Sequence, residues 1–212
     1  MEFFIAWFIF ASVQLVATMS PGPAFAVVFR NAAVSTRRAG VMTAIGLGIG
    51  VGVHVFLVLA GLAMIVTQSV LLFSVIKYAG AAYLIYIGIK GLRAKKQQAM
   101  SDEVLAVDTQ APVQKSVSDL KALRIGILTN LLNPKAMVFF TAVFTQFIAP
   151  GASVALMAAY GVTSVAIEVL WFAGLSFVLT DIRVQQKFKR VSHWVDRVCG
   201  GLLTALGVKL AL

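Results

Sequence analysis

Apolar residues run along the chain in six long blocks that are separated by polar connectors. A membrane-spanning helix needs about 20 consecutive, mostly apolar residues, and each block is long enough. The blocks cover residues 3–28, 41–66, 70–92, 123–148, 153–179 and 193–212. The last block is the weakest at its start, where Asp196 and Arg197 interrupt it. The pattern predicts an all-α polytopic membrane protein with six transmembrane helices.

The composition agrees with a membrane protein and not with a soluble domain. The 212-residue chain is 60% hydrophobic and 12% charged, whereas soluble domains have about 45–50% apolar and about 25% charged residues. Its one cysteine, Cys199, excludes an intramolecular disulfide framework and is interpreted as a small packing residue. The first block has no basic residue before it and no small-residue cleavage site, so we interpret it as a membrane helix and not as a signal peptide.

The net charge of +10 comes from basic residues that lie in the connectors between the apolar blocks. This position argues against nucleic acid as a partner and for membrane lipid. Cytoplasmic loops of membrane proteins are enriched in lysine and arginine. Here these residues collect in alternate connectors, so both termini are predicted to lie outside the cytoplasm. The basic residues are Arg30, Arg37 and Arg38 in the first connector, Arg93, Lys95, Lys96, Lys115 and Lys121 in the third, and Arg183, Lys187, Lys189 and Arg190 in the fifth.

Residues 94–122 form the only sizeable polar segment and are predicted to be a cytoplasmic linker, with Ser118 capping the helix that follows. The linker divides a single transmembrane domain, residues 1–212, into halves 1–93 and 123–212 with three helices each. Because three is an odd number, a homologous second half would be inserted upside down, as in many secondary transporters. The offset that aligns Pro21 with Pro134 places His54 within one residue of Glu168. We therefore expect two inverted three-helix repeats.

Proline interrupts the first and fourth blocks at corresponding positions. A proline inside a helix costs about 3 kcal/mol, because it removes a hydrogen bond and clashes with the preceding turn. Ser-Pro and Asn-Pro are also helix start signals, with Ser20 or Asn133 as the N-cap and proline as the first helical residue. Helices 1 and 4 are therefore each predicted to consist of two half-helices, although a plain proline kink is the simpler alternative.

The N-terminus of a half-helix inside the membrane is suited to bind an anion. It carries unpaired N–H groups and about half a positive charge. Lys135 stands directly after the second break, where a cation requires a compensating anion. These features predict a site for a substrate carboxylate. The candidate binding residues are Ser20, Pro21, Gly22 and Pro23 at the first break, and Asn133, Pro134 and Lys135 at the second.

Two titratable residues within the apolar blocks are candidates for proton coupling. Glu168 lies near the centre of the fifth block, where a carboxylate must face a cavity, find a partner or take up a proton. His54 lies among the glycines of the second block, and histidine titrates near neutral pH. The alternative for both residues is a structural hydrogen bond between helices. No metal-ligand spacing, phosphate-binding loop or catalytic constellation is present, so neither a metal, a cofactor nor an enzymatic activity is expected.

Three motifs in order resemble the lysine exporter (LysE/RhtB) superfamily of bacterial amino-acid exporters. They are SPGPAFAVV at 20–28, KYAGAAYLIYIGIK at 77–90 and NPKAMVFF at 133–140, and the resemblance covers nearly the whole chain. The segment GVGVHVFLVLAGL at 50–62 is similar to the homoserine/threonine efflux branch. The resemblance implies efflux of amino acids or their derivatives across the inner membrane in exchange for protons, and family members commonly have an acidic residue where Glu168 stands.

Two other functions use the same features. A passive channel or facilitator would need the same pore, but it could not drive export against a gradient. A membrane-embedded lipid enzyme or scramblase would need catalytic groups at the headgroup level, where the sequence offers only positively charged loops. Glycine-rich faces such as 46–52 are compatible with close helix packing and with a homodimer.

Overall fold

The structure is a computed structural model that describes residues 2–94, 117–148, 151–179 and 182–211. Within these residues every regular element is helical, and most of the predicted linker, residues 95–116, lies outside them. The α-helices are α1 (Glu2–Met19), α2 (Pro23–Arg30), α3 (Arg37–Gln68), α4 (Val70–Leu92), α5 (Asp119–Leu131), α6 (Pro134–Phe147), α7 (Val154–Val178) and α8 (Ile182–Ala211). One π-helical turn, Asn31–Ser35, joins α2 to the start of α3.

Three helices, α3, α4 and α7, are long and apolar enough to cross a membrane. The pairs α1–α2 and α5–α6 are each bent by 60° at a short break, and counting each pair as one span raises the number in the described residues to five. Helix α8 is not among these spans, because Asp196, Arg197 and Lys209 interrupt its apolar half. The chain is therefore a multi-pass helical membrane protein, and the sixth span stays a prediction.

Hydroxyl side chains begin four of the helices. In each case the side-chain oxygen accepts a hydrogen bond from a backbone N–H in the first turn, which satisfies a group that has no partner inside the helix. The pairs are Thr36 with Ala39 for α3, Ser69 with Leu72 for α4, Ser118 with Lys121 for α5 and Ser153 with Leu156 for α7. The prediction that Ser118 caps the helix after the linker is confirmed.

The two proline breaks differ in how the second half-helix begins. At the second break Asn133 is the N-cap, as predicted, and its Oδ1 atom accepts hydrogen bonds from the backbone N–H groups of Lys135 (3.0 Å) and Ala136 (3.3 Å). At the first break the prediction that Ser20 is the N-cap is wrong. Helix α2 begins only at Pro23, the later of the two prolines, and Gly22 occupies the cap position without a side-chain hydrogen bond.

Glycines allow close packing between helices that belong to different halves of the chain. Helix α4 packs along α8, and α3 packs along both α5 and α7. Gly46 of α3 and Gly126 of α5 face each other so closely that a Cβ atom on Gly126 would meet the carbonyl oxygen of Thr43 and lie 2.9 Å from the backbone nitrogen of Leu47. Gly88 of α4 and Gly200 of α8 form an equivalent contact. Small residues at these positions let the backbones touch.

We predict that Gly126→Ala lowers the melting temperature of the detergent-solubilised protein. The new methyl group would collide with backbone atoms of α3, and overpacking costs about 1–3 kcal/mol. That cost exceeds the gain of about 1 kcal/mol in helix propensity. Gly174→Ala in α7 is the matched control, since nothing lies within 4 Å of its Cβ position, and its melting temperature should stay equal or rise. Equal melting temperatures for the two variants would contradict the close contact.

Candidate functional site

A cavity of about 120 Å³ lies between the two proline breaks. Polar side chains from both halves of the chain face it, so its walls depend on how the helices meet and not on one local motif. Six of the nine residues predicted from the sequence line the cavity: Ser20, Gly22, Pro23, Asn133, Lys135 and Glu168. Pro21 and Pro134 are not among the lining residues, and neither is His54.

Glu168 is buried in the wall of the cavity and is held by two neutral donors. The Thr18 hydroxyl donates to Oε2 at 3.1 Å, and the Asn130 side-chain amide donates to Oε1 at 3.2 Å. In the described part of the chain, the only salt bridge joins Arg38 to Asp119, so Glu168 has no cationic partner there. A carboxylate without a cation is expensive in an apolar bundle, so Glu168 is a candidate for a role beyond packing.

Asn130 connects Glu168 to His54. Its side-chain amide donates to Glu168 and also to the carbonyl oxygen of Leu47, at 3.1 Å. The backbone carbonyl oxygen of Asn130 lies 2.9 Å from His54 Nε2, and because a carbonyl oxygen can only accept, Nε2 is the donor. His54 and Glu168 are therefore linked only indirectly: the two side chains share Asn130 and do not hydrogen-bond to each other.

The His54 ring packs at the edge of this network. Its plane stacks at 24° on the ring of Phe140, which itself lines the cavity. Its Nδ1 atom is buried and has no hydrogen-bond partner among the described residues.

Gln14 extends the network along α1, one helical turn from Thr18. Its Nε2 atom lies 3.5 Å from the Thr18 hydroxyl oxygen, at the limit of a hydrogen bond. Its Oε1 atom is buried without a partner in the part of the chain that the structure describes. Sequence reasoning missed Gln14, Thr18 and Asn130. The available signal was that three amide or hydroxyl side chains stand inside apolar blocks, two of them four residues apart on one helix face.

Opposite charges line the other end of the cavity. Asp196 of α8 accepts a hydrogen bond of 3.0 Å from the Ser20 hydroxyl, and the charge of Lys135 acts on this carboxylate. From the sequence, Asp196 was only an interruption of the last apolar block. The structure places it at the first break, so both broken helices and α8 contribute to one site.

The two half-helix N-termini present different groups to the cavity. At α6 the first free N–H groups already bond to the Asn133 side chain, so an anion would have to displace it. At α2 no side chain caps the helix, and Gly22 and Pro23 line the cavity. The α2 terminus is therefore the more open of the two toward an anion.

A cluster of aromatic rings fills the bundle beyond the cavity. Phe10 is fully buried and makes edge-to-face contacts with Tyr160, at 4.5 Å between ring centroids, and with Phe144, at 5.5 Å. Phe140, on the cavity wall, continues this cluster toward Phe144. Such contacts stabilise a packed layer beyond the area that they bury.

We predict that Asn130→Ala destabilises the protein. The change leaves Glu168 Oε1 and the Leu47 carbonyl oxygen without their donor, and an unsatisfied buried group costs about 1–3 kcal/mol. Thermal unfolding in detergent measures the effect. Thr163→Val serves as the comparison, because it removes a hydrogen bond to Trp7 that lies at the partly buried rim. A smaller loss for Asn130→Ala than for Thr163→Val would contradict the central role of Asn130.

Comparisons with known proteins identify relatives over nearly the full length. Residues 15–212 match the family model described as LysE type translocator. The threonine efflux protein of Escherichia coli (strain K12) is 31% identical over 204 residues, which is 95% of either chain. The homoserine/homoserine lactone efflux protein of Salmonella typhimurium is 30% identical over 206 residues, or 97% of this chain and 95% of that protein. No solved structure matches the chain.

Proposed function

The chain belongs to the LysE type translocator family, and on this premise we propose that it exports a small amino acid or amino-acid derivative from the cytoplasm in exchange for protons. As a member of this family it is a transporter and not an enzyme. The observation that carries the proposal is the cavity between the two breaks. It combines a buried carboxylate, Glu168, that has no cationic partner among the described residues, with separate charged groups, Lys135 and Asp196. Such a site can hold a charged solute and a proton.

The cavity faces the cytoplasm in this proposal. Its lining includes Gly91, near the end of α4 that carries Lys90 and Arg93, and basic ends of helices lie on the cytoplasmic side. The aromatic cluster around Phe10 lies toward the opposite end of the bundle. The protein would then be a bacterial inner-membrane exporter with both termini outside, in a state that receives substrate from the cytoplasm.

The inverted repeat belongs to the same proposal. Two features support it: the broken pairs α1–α2 and α5–α6 both bend by 60°, and α3 packs against α7 while α4 packs against α8. These are the helix pairs that an inverted repeat makes equivalent. Alternating access would then be a movement of one half against the other around the cavity. Membrane lipid and a homodimer remain predicted partners.

The substrate carboxylate would bind at the breaks. Gly22 and Pro23 offer the uncapped N-terminus of α2, and Ser20 and Pro21 end the preceding half-helix so that this terminus lies inside the bundle. At the second break, Asn133 and Pro134 begin α6 and thereby position Lys135 at the cavity wall. Lys135 adds a full positive charge to the weaker field of the helix end.

Glu168 would exchange protons with the cavity. Its partner Thr18 carries a hydroxyl, which can donate to a carboxylate or accept from a carboxylic acid, so the network accommodates both protonation states. His54, joined through Asn130, would relay the proton or hold the network in place. Charging and neutralising Glu168 in the two orientations would couple proton entry to substrate exit.

The names of the relatives indicate the substrate class. Threonine and homoserine are small zwitterions with a side-chain hydroxyl, and two relatives are named for their efflux. In this chain Gln14 and Thr18 provide neutral polar groups that could meet such a hydroxyl. We therefore propose a small neutral amino acid, with threonine as the first compound to test.

The decisive experiment is transport into proteoliposomes of the purified protein, with radiolabelled L-threonine, a panel of other amino acids and an imposed pH gradient. Accumulation against the threonine gradient that collapses when the pH gradient is dissipated supports a proton-coupled exporter. Flux that only equalises concentrations would make the protein a passive facilitator. Absence of flux for every amino acid would show that the proposed ligand class is wrong.

We predict that Glu168→Gln abolishes accumulation driven by the pH gradient but leaves threonine counterflow without a gradient within about threefold of the wild type. Glutamine keeps the size and the acceptor for Thr18 but cannot carry a proton. Both rates are measured in the same liposomes at several pH values. Uphill transport with full pH dependence in this variant would remove Glu168 from the coupling step.

A further inference from the structure

We propose that Asp196 binds the α-ammonium group of the substrate, so that Asp196 and Lys135 together select zwitterionic amino acids. The inference rests on the proposed function and specifies how its site recognises the substrate. Neither the family description nor the names of the relatives assign a role to this carboxylate.

The first argument is that Asp196 is held in place while part of its carboxylate stays available. The Ser20 hydroxyl donates to Oδ1 at 3.0 Å, which orients the group toward the first break. Among the described residues, Oδ2 has no hydrogen-bond or ion-pair partner within contact distance. A partly buried carboxylate that lines a cavity with one free oxygen can accept a hydrogen bond from an ammonium group.

The second argument is the arrangement of charges across the cavity. Lys135 lines the same cavity and acts on Asp196 through space, yet the two groups form no salt bridge in the described residues. An α-amino acid carries its positive and negative groups on one carbon atom. Two opposite protein charges that face a cavity without touching each other match such a zwitterion, which would complete both pairs at once.

The third argument is a buried acceptor in the cavity lining that has no partner among the described residues. Gln14 is buried, its side chain lines the cavity, and its Oε1 atom has no partner in the described chain. A buried acceptor without a donor costs free energy. A substrate hydroxyl that donates to Gln14 would remove this cost. Three anchors, Asp196, Lys135 and Gln14, would then bind the ammonium, carboxylate and side-chain ends of the substrate.

The test compares L-threonine with its 2-hydroxy analogue, 2,3-dihydroxybutanoate. The analogue keeps the carboxylate and the side-chain hydroxyl but has a neutral hydroxyl group in place of the ammonium group. The readout is the ratio of the two initial counterflow rates at the same subsaturating concentration. Wild-type protein is expected to prefer threonine by at least tenfold. Asp196→Asn, which keeps the acceptor for Ser20, is expected to reduce this ratio at least tenfold through the loss of threonine transport.

Ser20→Ala is the matched control, because it releases the carboxylate but leaves its charge. The expected result is a higher KM for threonine and a smaller loss of the preference for threonine than Asp196→Asn causes. Asp196→Glu should restore part of the preference, since it returns the negative charge. If Asp196→Asn is not monodisperse in detergent, Ser20→Ala and Asp196→Glu decide: a changed KM for threonine with an unchanged rate for the analogue supports the inference, and equal changes for both compounds overturn it.

The outcomes separate this inference from the proposed function. A wild-type protein that transports threonine, with a ratio that Asp196→Asn leaves unchanged, overturns the role of Asp196 alone. Equal transport of threonine and the analogue by the wild type also overturns the role of Asp196 and leaves the proposed function intact. A wild-type protein that transports no amino acid overturns the proposed function, and the inference with it.

Discussion

The hydrogen bonds that Asn130 and Thr18 donate to Glu168 are the interactions on which the rest of the site depends. They hold a carboxyl group that has no cationic partner in the part of the chain the structure describes, inside a bundle of apolar helices where such a group is costly. They also join α1, α5 and α7, and through Leu47 and His54 they reach α3. A change in the protonation of Glu168 would therefore alter hydrogen bonds that connect four helices.

The proline breaks end α1 and α5 inside the bundle, beside the polar side chains that form this network. Asn130 stands near the end of α5, and Pro134, four residues on, has no N–H to donate to its carbonyl oxygen. This oxygen accepts instead from the backbone N–H of Asn133, at 2.9 Å, and from His54 Nε2. Ser20 stands just after the end of α1 and donates to Asp196. In an apolar environment, backbone and side-chain groups freed at a break must find protein partners or line a cavity. Here they do both.

Close glycine contacts make this arrangement possible. Gly46 with Gly126 allows the backbones of α3 and α5 to touch, which brings Asn130 within reach of α3. Gly88 with Gly200 allows the same close approach of α4 and α8. The aromatic cluster around Phe10 then fills the opposite part of the bundle. The protein thus combines a tightly packed end with an end that retains a polar cavity, an asymmetry that an alternating-access transporter would exchange between its two states.

The apolar blocks, the basic connectors and the two prolines determined by themselves that the chain is helical, membrane-embedded and broken in two helices, because these properties depend on local composition and on backbone chemistry. The cap at Asn133 followed from the same local rules, while the competing prolines at the first break displaced the start of α2 to Pro23. Only the tertiary structure decided that Asn130 joins His54 to Glu168 and that Asp196 meets Ser20. These contacts connect residues 38 to 176 positions apart, and helix periodicity does not determine how distant helices rotate and approach each other.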